Sequence, residues 1–158
     1  MGLKVLTIDD DSSMTGLLAV LLRSHGMEVI SCNDGVQGIE LARQETPDLI
    51  ILDLMMPGTD GWEVCKALRY STNAPIAILS ALDDPVIISS ALDAGADDYM
   101  TKPVTTSVLI AHVKNLTRRY MVENNKSAMI REAGTLRVQT DDLNGLPKPL
   151  QAYPPRVQ

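Results

Sequence analysis

Long hydrophobic runs are absent from this sequence. A membrane-spanning helix needs about eighteen or more consecutive apolar residues, and no stretch of the chain approaches that length. The amino terminus also lacks the layout of a signal peptide, because it has one lysine and leads directly into a predicted strand. We therefore expect no part of the chain to cross a membrane.

Cysteine is scarce as well. Cys32 and Cys65 are the two cysteines of the chain, and their spacing does not resemble that of metal ligands. Both lie within apolar patterns, which predicts buried free thiols. Free thiols are typical of a reducing compartment, so the cytoplasm is the expected location.

The chain has no excess of basic residues. Its formal net charge is −6, with 14 Lys and Arg against 20 Asp and Glu. Residues 1–120 contain nine basic and sixteen acidic side chains, whereas residues 121–158 contain five and four. An acidic body argues against non-specific binding of nucleic acid by that part of the chain.

What is present fits one soluble globular domain with a short extension. The chain has 158 residues, of which 45% are hydrophobic and 22% charged. Composition changes after Met121, and four of the nine prolines lie between residues 147 and 155. We therefore predict a domain over residues 1–121 and a tail over 122–158. The tail is predicted to be extended or disordered, with a candidate short strand at Thr135–Val138.

Apolar runs and helix signals alternate strictly along the predicted domain. The predicted strands are, approximately, Lys4–Ile8, Glu28–Cys32, Leu49–Leu52, Ile76–Leu79 and Asp98–Met100. A helix is predicted after each strand; the start signals are Ser12 or Ser13, Asp34, Trp62, Asp83 or Asp84, and Thr105 or Thr106. This alternation predicts an α/β fold, a doubly wound five-stranded parallel sheet flanked by five helices.

Two acidic groups follow strand patterns. Asp53 ends one apolar run, and Asp9, Asp10 and Asp11 follow another. Ligands of open α/β sheets bind beyond the carboxyl ends of the strands, so these carboxylates point at one site. Crowded carboxylates repel each other unless a cation lies between them, and oxygen ligands suit Mg²⁺. The sequence predicts an acidic Mg²⁺ pocket, in which Asp11 is either a helix cap or a minor contributor.

Ser80 and Lys102 follow the fourth and fifth predicted strands. Three acids, a hydroxyl and a lysine form the set of groups that aspartyl phosphorylation needs. Asp53 would be the nucleophile, since a carboxylate can accept a phosphoryl group and form an acyl phosphate. Asp9 and Asp10 would hold Mg²⁺, which offsets charge on the phosphoryl oxygens. Lys102 and Ser80 would contact the remaining oxygens.

Four segments of residues 3–120 together resemble the receiver domain of two-component response regulators. They are VLTIDDD, PDLIILDLMMPGTDGWEVCKALR, PIAILSALDD and ALDAGADDYMTKPV. Their order, their spacing and their placement at strand ends agree with that family. The resemblance implies a flavodoxin-like (CheY-like) sheet with strand order 2-1-3-4-5.

The resemblance also implies roles for individual residues. Asp53 is implied to be the phosphoacceptor, and Asp9, Asp10 and the backbone carbonyl of Met55 are implied to complete the Mg²⁺ site. Ser80 takes the position of a hydroxyl residue that is more often threonine.

The remaining implied roles belong to the end of the fifth strand. Lys102 takes the position of the family's lysine, with a cis peptide expected between Lys102 and Pro103. Tyr99 falls at the position of the switch aromatic, which turns into the space left when Ser80 moves toward the phosphoryl group.

Partners also follow from the resemblance. A sensor histidine kinase or a phosphotransfer protein would donate the phosphoryl group, and the receiver would assist its own phosphorylation and dephosphorylation without being an enzyme in its own right. Phosphorylation would favour one of two packings of the face formed by the fourth helix, fifth strand and fifth helix. A downstream protein, or a second copy in a homodimer, would bind that face.

The output is less defined. ADDYMTKP and AHVKNLTRRY resemble the subgroup (OmpR/PhoB) that dimerises through the fourth and fifth helices and has a carboxy-terminal winged-helix DNA-binding domain. His112 and Val108 stand where that subgroup has an arginine and a glutamate. Whether this chain can form the charge pairs with Asp97 or Asp98 that support the subgroup's dimer is therefore open. Residues after Met121 leave no room for a recognition helix and wing.

Three hypotheses remain. The favoured one is a phosphorylation-dependent switch that acts through protein–protein contacts. The second is a truncated or degenerate DNA-binding transcriptional regulator. The third, a phosphatase with an aspartate nucleophile, is disfavoured because such enzymes use a second acid two residues after the nucleophile, and that residue is Met55 here.

Overall fold

A computed structural model describes the backbone of residues 2–141 and the side chains of residues 2–134. These residues form seven strands and five helices. The strands are β1 (Lys4–Ile8), β2 (Glu28–Cys32), β3 (Leu49–Leu52), β4 (Met55–Met56), β5 (Thr59–Asp60), β6 (Ile76–Ser80) and β7 (Asp98–Thr101). The helices are α1 (Ser12–Ser24), α2 (Gly35–Glu45), α3 (Gly61–Ser71), α4 (Pro85–Asp93) and α5 (Thr106–Asp141).

Five strands form one parallel sheet in the order β2-β1-β3-β6-β7. When the short strands β4 and β5 are set aside, this is the order 2-1-3-4-5, so the predicted fold is confirmed. β4 and β5 form a separate antiparallel pair of two residues each, in which Met55 is opposite Asp60. The sequence does not predict this pair, because two residues are too few to show a periodic pattern.

Helices cover both faces of the sheet. Alternate residues of a strand point to opposite faces. Leu49 and Ile51 of β3 pack in a cluster with residues of α1 and α5, whereas Ile50 and Leu52 pack in a second cluster with residues of α2, α3 and α4. Both faces of β3 are therefore buried, which explains why its sequence is an unbroken apolar run.

The two cysteines lie in the second of these clusters. Cys32 is at the end of β2 and Cys65 is in α3, and both are buried free thiols. The prediction made from their apolar surroundings is confirmed.

Aspartates cap four of the helices. The capping residues are Asp11, Asp34, Asp60 and Asp84. For α1 the sequence predicts Ser12 or Ser13 as the start signal and leaves Asp11 as an alternative cap. Asp11 is the cap, so the prediction of a serine is wrong. The Asp11 carboxylate accepts hydrogen bonds from the N–H groups of Ser13 and Met14, at 2.9 and 3.4 Å. A carboxylate also interacts favourably with the positive end of the helix, which favours it over a hydroxyl.

The last helix is longer than the sequence indicates. The sequence predicts an extended or disordered tail after Met121 and a candidate strand at Thr135–Val138. Both predictions are wrong for residues up to Asp141, because α5 continues to that residue. The reason lies in composition: residues 122–141 contain no proline and several strong helix formers. Residues 142–158 lie outside the described residues.

The chain divides into two units, Met1–Met121 and Val122–Gln158. The first unit contains the whole sheet and both clusters. Among the described residues, no helix is long and apolar enough to cross a membrane.

Candidate functional site

The candidate site lies at the carboxyl ends of the parallel strands. Asp9 and Asp53 directly follow β1 and β3, which are neighbours in the sheet. The Asp53 N–H donates to the Ile8 carbonyl at 2.9 Å, and the Asp9 N–H donates to the Cys32 carbonyl at 3.1 Å. These main-chain bonds extend the ladder by one residue, so both acids are held rigidly at the sheet edge.

Three carboxylates meet at this edge. Asp9, Asp10 and Asp53 each offer an oxygen, and these atoms lie within 4.8 Å of one another. Asp9 and Asp53 are buried, with 4% and 6% of their surface exposed, whereas Asp10 is exposed. The three acids predicted from the sequence are therefore brought together. The arrangement is open to solvent on the side of Asp10.

Lys102 connects the two buried acids. Its Nζ donates to Asp9 Oδ2 at 2.7 Å and to Asp53 Oδ2 at 3.1 Å. The Lys102 N–H donates to the Ser80 carbonyl at 2.8 Å, and the peptide between Lys102 and Pro103 is cis. The structure thus places the predicted lysine inside the pocket.

The pKa shifts show how the charges in this pocket are balanced. Burial raises the pKa of the Asp9 carboxyl, against the opposing effect of the hydrogen bonds from Lys102 and from the Asp11 N–H. Burial alone would lower the pKa of the Lys102 ammonium, but its hydrogen bonds to Asp9 and Asp53 outweigh burial and raise that pKa. One ammonium thus serves two buried carboxylates, and the pocket is short of positive charge.

This donor set fits a hard divalent cation. All three acids offer oxygen ligands, which Mg²⁺ prefers. A further cation would offset the cost of burying charged carboxylates and the repulsion between them. Met55 lies beside them, since its N–H donates to Asp53 Oδ1 at 3.1 Å. The Met55 side chain itself is exposed, with 51% of its surface accessible.

Ser80 and Tyr99 are joined through the loop after β6. Ser80 is fully buried at the end of β6, and its Oγ accepts from the Leu82 N–H at 3.4 Å. The Tyr99 hydroxyl donates to the Leu82 carbonyl at 2.6 Å. Burial raises the pKa of the Tyr99 phenol, against the opposing effect of the Ser80 hydroxyl. The predicted switch residue is therefore turned toward Ser80 in this structure.

Two acids near the face of α4, β7 and α5 have partners within the chain. His112 Nδ1 lies 2.5 Å from Asp98 Oδ2. Arg69 Nη1 of α3 lies 3.2 Å from Asp97 Oδ2, and the Ile76 N–H donates to the same oxygen at 2.8 Å. Asp97 and Asp98, which the family resemblance implies in contacts between subunits, are therefore already engaged within the chain.

Two polar contacts of the site were not predicted. The first is the bond from the Asp11 N–H to Asp9 Oδ1, at 3.0 Å. Of the two roles that the sequence allows for Asp11, helix cap or minor metal contributor, the structure shows the cap of α1. Asn33 donates from Nδ2 to the Asp9 carbonyl at 2.7 Å. Nothing in the sequence points to Asn33, because it is 24 positions away from Asp9 and the contact depends on β1 and β2 being neighbours.

Fold and site together define a class: doubly wound α/β domains with an acidic, lysine-containing pocket at the carboxyl ends of the strands. The comparison with known families is more specific. Residues 5–114 match the model of the response regulator receiver domain, and the chain belongs to that family. The family predicted from the sequence is confirmed.

Curated relatives include full regulators. MtrA of Mycobacterium tuberculosis (strain ATCC 25618 / H37Rv), a DNA-binding response regulator, is 40% identical over 119 residues, which cover 75% of this chain and 52% of MtrA. PhoP of Bacillus subtilis (strain 168), the alkaline phosphatase synthesis transcriptional regulatory protein, is 39% identical over 154 residues, covering 97% and 64%. The chain therefore spans about half the length of MtrA and somewhat more of PhoP.

Solved structures agree with the fold. The BeF3-activated receiver domain of Klebsiella pneumoniae RstA aligns with a TM-score of 0.70 and 35% identity, covering 73% of this chain and 98% of that one. A two-component response regulator from Clostridium difficile aligns with a TM-score of 0.72 and 32% identity, covering 74% and 97%. In both cases the match covers nearly the whole of the other chain and about three quarters of this one.

Proposed function

We propose that the chain is a phosphorylation-dependent signalling switch whose phosphoacceptor is Asp53. One observation carries this proposal: Lys102 Nζ hydrogen-bonds to both Asp9 and Asp53, which joins a nucleophile, a second acid and an ammonium in one pocket. Membership in the receiver family supports it. The phosphoryl donor would be a phosphohistidine on a sensor histidine kinase or a phosphotransfer protein.

The chemistry is an in-line transfer. An Asp53 carboxylate oxygen attacks phosphorus, the new O–P bond forms as the N–P bond of the phosphohistidine breaks, and the imidazole nitrogen leaves with the electron pair. Asp9, Asp10, Asp53 and the Met55 carbonyl would hold Mg²⁺. When bound, Mg²⁺ offsets charge on the phosphoryl oxygens. Lys102 is placed to shift its hydrogen bond from Asp53 to a phosphoryl oxygen.

Ser80 and Tyr99 would transmit the change. A phosphoryl group on Asp53 adds negative charge at the pocket, and the Ser80 hydroxyl can donate to it. Leu82 is bonded on one side to Ser80 and on the other to Tyr99, so a movement of Ser80 alters the support of the Tyr99 hydroxyl. Because Tyr99 lies in β7 between α4 and α5, this would change the packing of that face.

The output we propose is a protein–protein contact through the face of α4, β7 and α5, with a downstream protein or with a second copy. In this proposal residues 1–121 are the switch. The protein acts in the cytoplasm, as its free buried thiols suggest, and it is a signalling protein that assists its own phosphorylation and dephosphorylation.

The Asp53 assignment is tested by the mass of the intact protein. Incubation with Mg²⁺ and acetyl phosphate should add one phosphoryl group to the wild type and none to Asp53→Asn, because the amide is not a nucleophile for this transfer. Asp48→Asn is the matched control, since that carboxylate accepts from the Lys4 N–H at the opposite end of the sheet. A phosphoryl adduct on Asp53→Asn would show that Asp53 is not the phosphoacceptor.

A DNA-binding role is the second candidate. It is favoured by one observation: the match to PhoP, whose name describes a transcriptional regulator, covers 97% of this chain and so includes residues beyond the receiver. The acidic body argues against it. The test is a gel shift of DNA with the phosphorylated chain. DNA binding that is lost when Lys126 and Arg131 are replaced by glutamine would support this candidate.

A further inference from the structure

Asn33 connects the end of β2 to the acidic loop after β1. Its side-chain Nδ2 donates to the Asp9 carbonyl at 2.7 Å and to Thr15 Oγ1 at 3.1 Å. Thr15 is buried in the first turns of α1, and its hydroxyl donates in turn to the Ser12 carbonyl at 3.2 Å. One amide therefore joins the start of the β1–α1 loop, which contains three acids, to the first turns of α1.

These bonds complete the support of the Asp9 main chain. The Asp9 N–H already donates to the Cys32 carbonyl at 3.1 Å, so with Asn33 both main-chain polar groups of Asp9 are held by consecutive residues at the end of β2. The Asp9 carbonyl belongs to the same peptide plane as the Asp10 N–H. A bond to that oxygen therefore orients the chain as it enters Asp10.

This support matters most for Asp10. Asp9 is buried and its carboxylate is bonded to Lys102 and to the Asp11 N–H, whereas Asp10 is exposed and reaches the acidic cluster from the solvent side. The placement of an exposed carboxylate depends on the backbone that carries it. If the peptide after Asp9 could rotate, one of three cation ligands would be lost from the cluster.

We propose that Asn33 is a positioning residue for the divalent-cation site. By fixing the peptide between Asp9 and Asp10, Asn33 sets the affinity of the site for Mg²⁺. The inference rests on the proposed function, because it assumes that Asp9, Asp10 and Asp53 bind the cation. Asn33 touches neither the cation ligands' carboxylate oxygens nor the phosphoacceptor, so its effect is on the geometry of the site and not on the transfer itself.

The surroundings of Asn33 make this role testable. Asn33 is itself exposed, and α2 is capped by Asp34, whose carboxylate accepts from the Gln37 N–H at 2.8 Å. Neither the core nor the α2 cap depends on Asn33. Asn33→Ala should therefore fold like the wild type, and a change in cation affinity would not reflect a loss of fold.

The test measures cation binding apart from phosphorylation. Binding of Mg²⁺ would be measured by isothermal titration, and binding of Mn²⁺ by electron paramagnetic resonance, on the full chain and on Asn33→Ala. The matched control is Asn73→Ala, an exposed asparagine in the connection between α3 and β6. Thr15→Val is a second variant, which removes one partner of Asn33 and leaves the bond to Asp9. Melting temperatures would be recorded for each.

We expect Mg²⁺ and Mn²⁺ to bind Asn33→Ala about tenfold more weakly than the wild type, a typical effect of losing a residue that orients a metal ligand. Thr15→Val should weaken binding less, and Asn73→Ala should not change it. The rate of phosphorylation by acetyl phosphate should fall at low Mg²⁺ and return to the wild-type rate at saturating Mg²⁺. That recovery distinguishes positioning of the cation from a role in the transfer.

Three outcomes would overturn the proposal, and they are distinguishable. If the wild type binds Mg²⁺ and is phosphorylated while Asn33→Ala has the wild-type affinity, only the role of Asn33 is wrong. If the wild type neither binds Mg²⁺ nor accepts a phosphoryl group, the proposed function fails and this inference fails with it. A rate that stays low for Asn33→Ala at saturating Mg²⁺ would also contradict a pure positioning role.

Discussion

At the scale of single residues, the site is organised around Lys102. Its ammonium is the one basic group that the described residues bring into contact with the acidic cluster, and it is shared between Asp9 and Asp53. Proximity of opposite charges raises the pKa of Lys102 despite burial, so the lysine stays protonated at neutral pH. Lys102 and a divalent cation would therefore compete for the same carboxylates.

This competition gives a prediction for Lys102→Met, which keeps the length of the side chain and removes its charge. Without Mg²⁺ the variant should be less stable by about 1–3 kcal/mol, because two buried carboxylates lose their partner. Added Mg²⁺ should raise the melting temperature of the variant more than that of the wild type. Phosphorylation should nevertheless be slower, since the positive charge for the phosphoryl oxygen is missing. An equal effect of Mg²⁺ on both proteins would show that Lys102 and the cation do not share ligands.

The thiols give a second prediction at this scale. Burial raises the pKa of Cys32 and of Cys65, so both thiolates stay scarce until the pH is above the ordinary range for cysteine. Iodoacetamide at about pH 8 should label neither thiol in the folded protein and both in urea, as read by intact mass. The sign of the shift also means that labelling should accelerate only at higher pH. Rapid labelling of the folded protein at neutral pH would contradict the burial.

At the scale of elements, the loop between β3 and α3 is held by a close approach of two backbone segments. A Cβ on Gly61, the first residue of α3, would lie 2.5 Å from both the Cα and the carbonyl oxygen of Leu54. Leu54 directly follows Asp53, so this contact fixes the start of α3 against the residue next to the proposed phosphoacceptor. Only glycine allows such an approach.

Gly61→Ala should therefore destabilise the protein by about 1–3 kcal/mol, because backbone atoms cannot move aside as a flexible side chain could. Gly16→Ala is the control: a Cβ there meets nothing within 4 Å, and Gly16 lies inside α1. The control should be more stable by about 0.5–1 kcal/mol, since alanine favours the helix. Urea denaturation of both variants checks this pair. Equal stability of the two would show that the β3–α3 loop tolerates the added atom.

At the scale of the whole molecule, the question is how the switch acts on other proteins. Val86 and Leu92 of α4 and Val108 of α5 are exposed apolar residues, at 75%, 42% and 45% of their surface. Asp97 and Asp98 are already paired with Arg69 and His112 within the chain. A homodimer through this face would therefore depend more on apolar contacts than on charge pairs between subunits.

We expect phosphorylation with acetyl phosphate to shift the chain from monomer to dimer in size-exclusion light scattering. Val86→Glu should prevent that shift, since it places a charge in the apolar part of the face, on α4. Val20→Glu is the matched control, because Val20 is 66% exposed on α1, away from that face. A phosphorylated Val86→Glu protein that still dimerises would place the interface elsewhere.

Much of the fold could be predicted from local pattern. The apolar runs of β1 and β3, each ending in aspartate, are sufficient to predict a parallel sheet with an acidic edge, because buried strands must be apolar throughout and parallel strands bring their carboxyl ends together. The same reasoning predicts that Asp9, Asp10 and Asp53 lie close together, as they do. Sequence pattern failed where patterns are short or absent, at the two-residue pair β4–β5 and in the continuation of α5 to Asp141.

The sequence by itself determined the class of fold and the family, and it predicted the set of site residues, since these depend on periodicity and on the order of residues along the chain. Only the tertiary structure decided which groups touch. The bond from Asn33 to Asp9, the sharing of Lys102 between two acids and the pairing of Asp98 with His112 join residues 24, 93 and 14 positions apart. Contacts of this kind form only when strands pair and helices pack, so the local sequence pattern does not predict them.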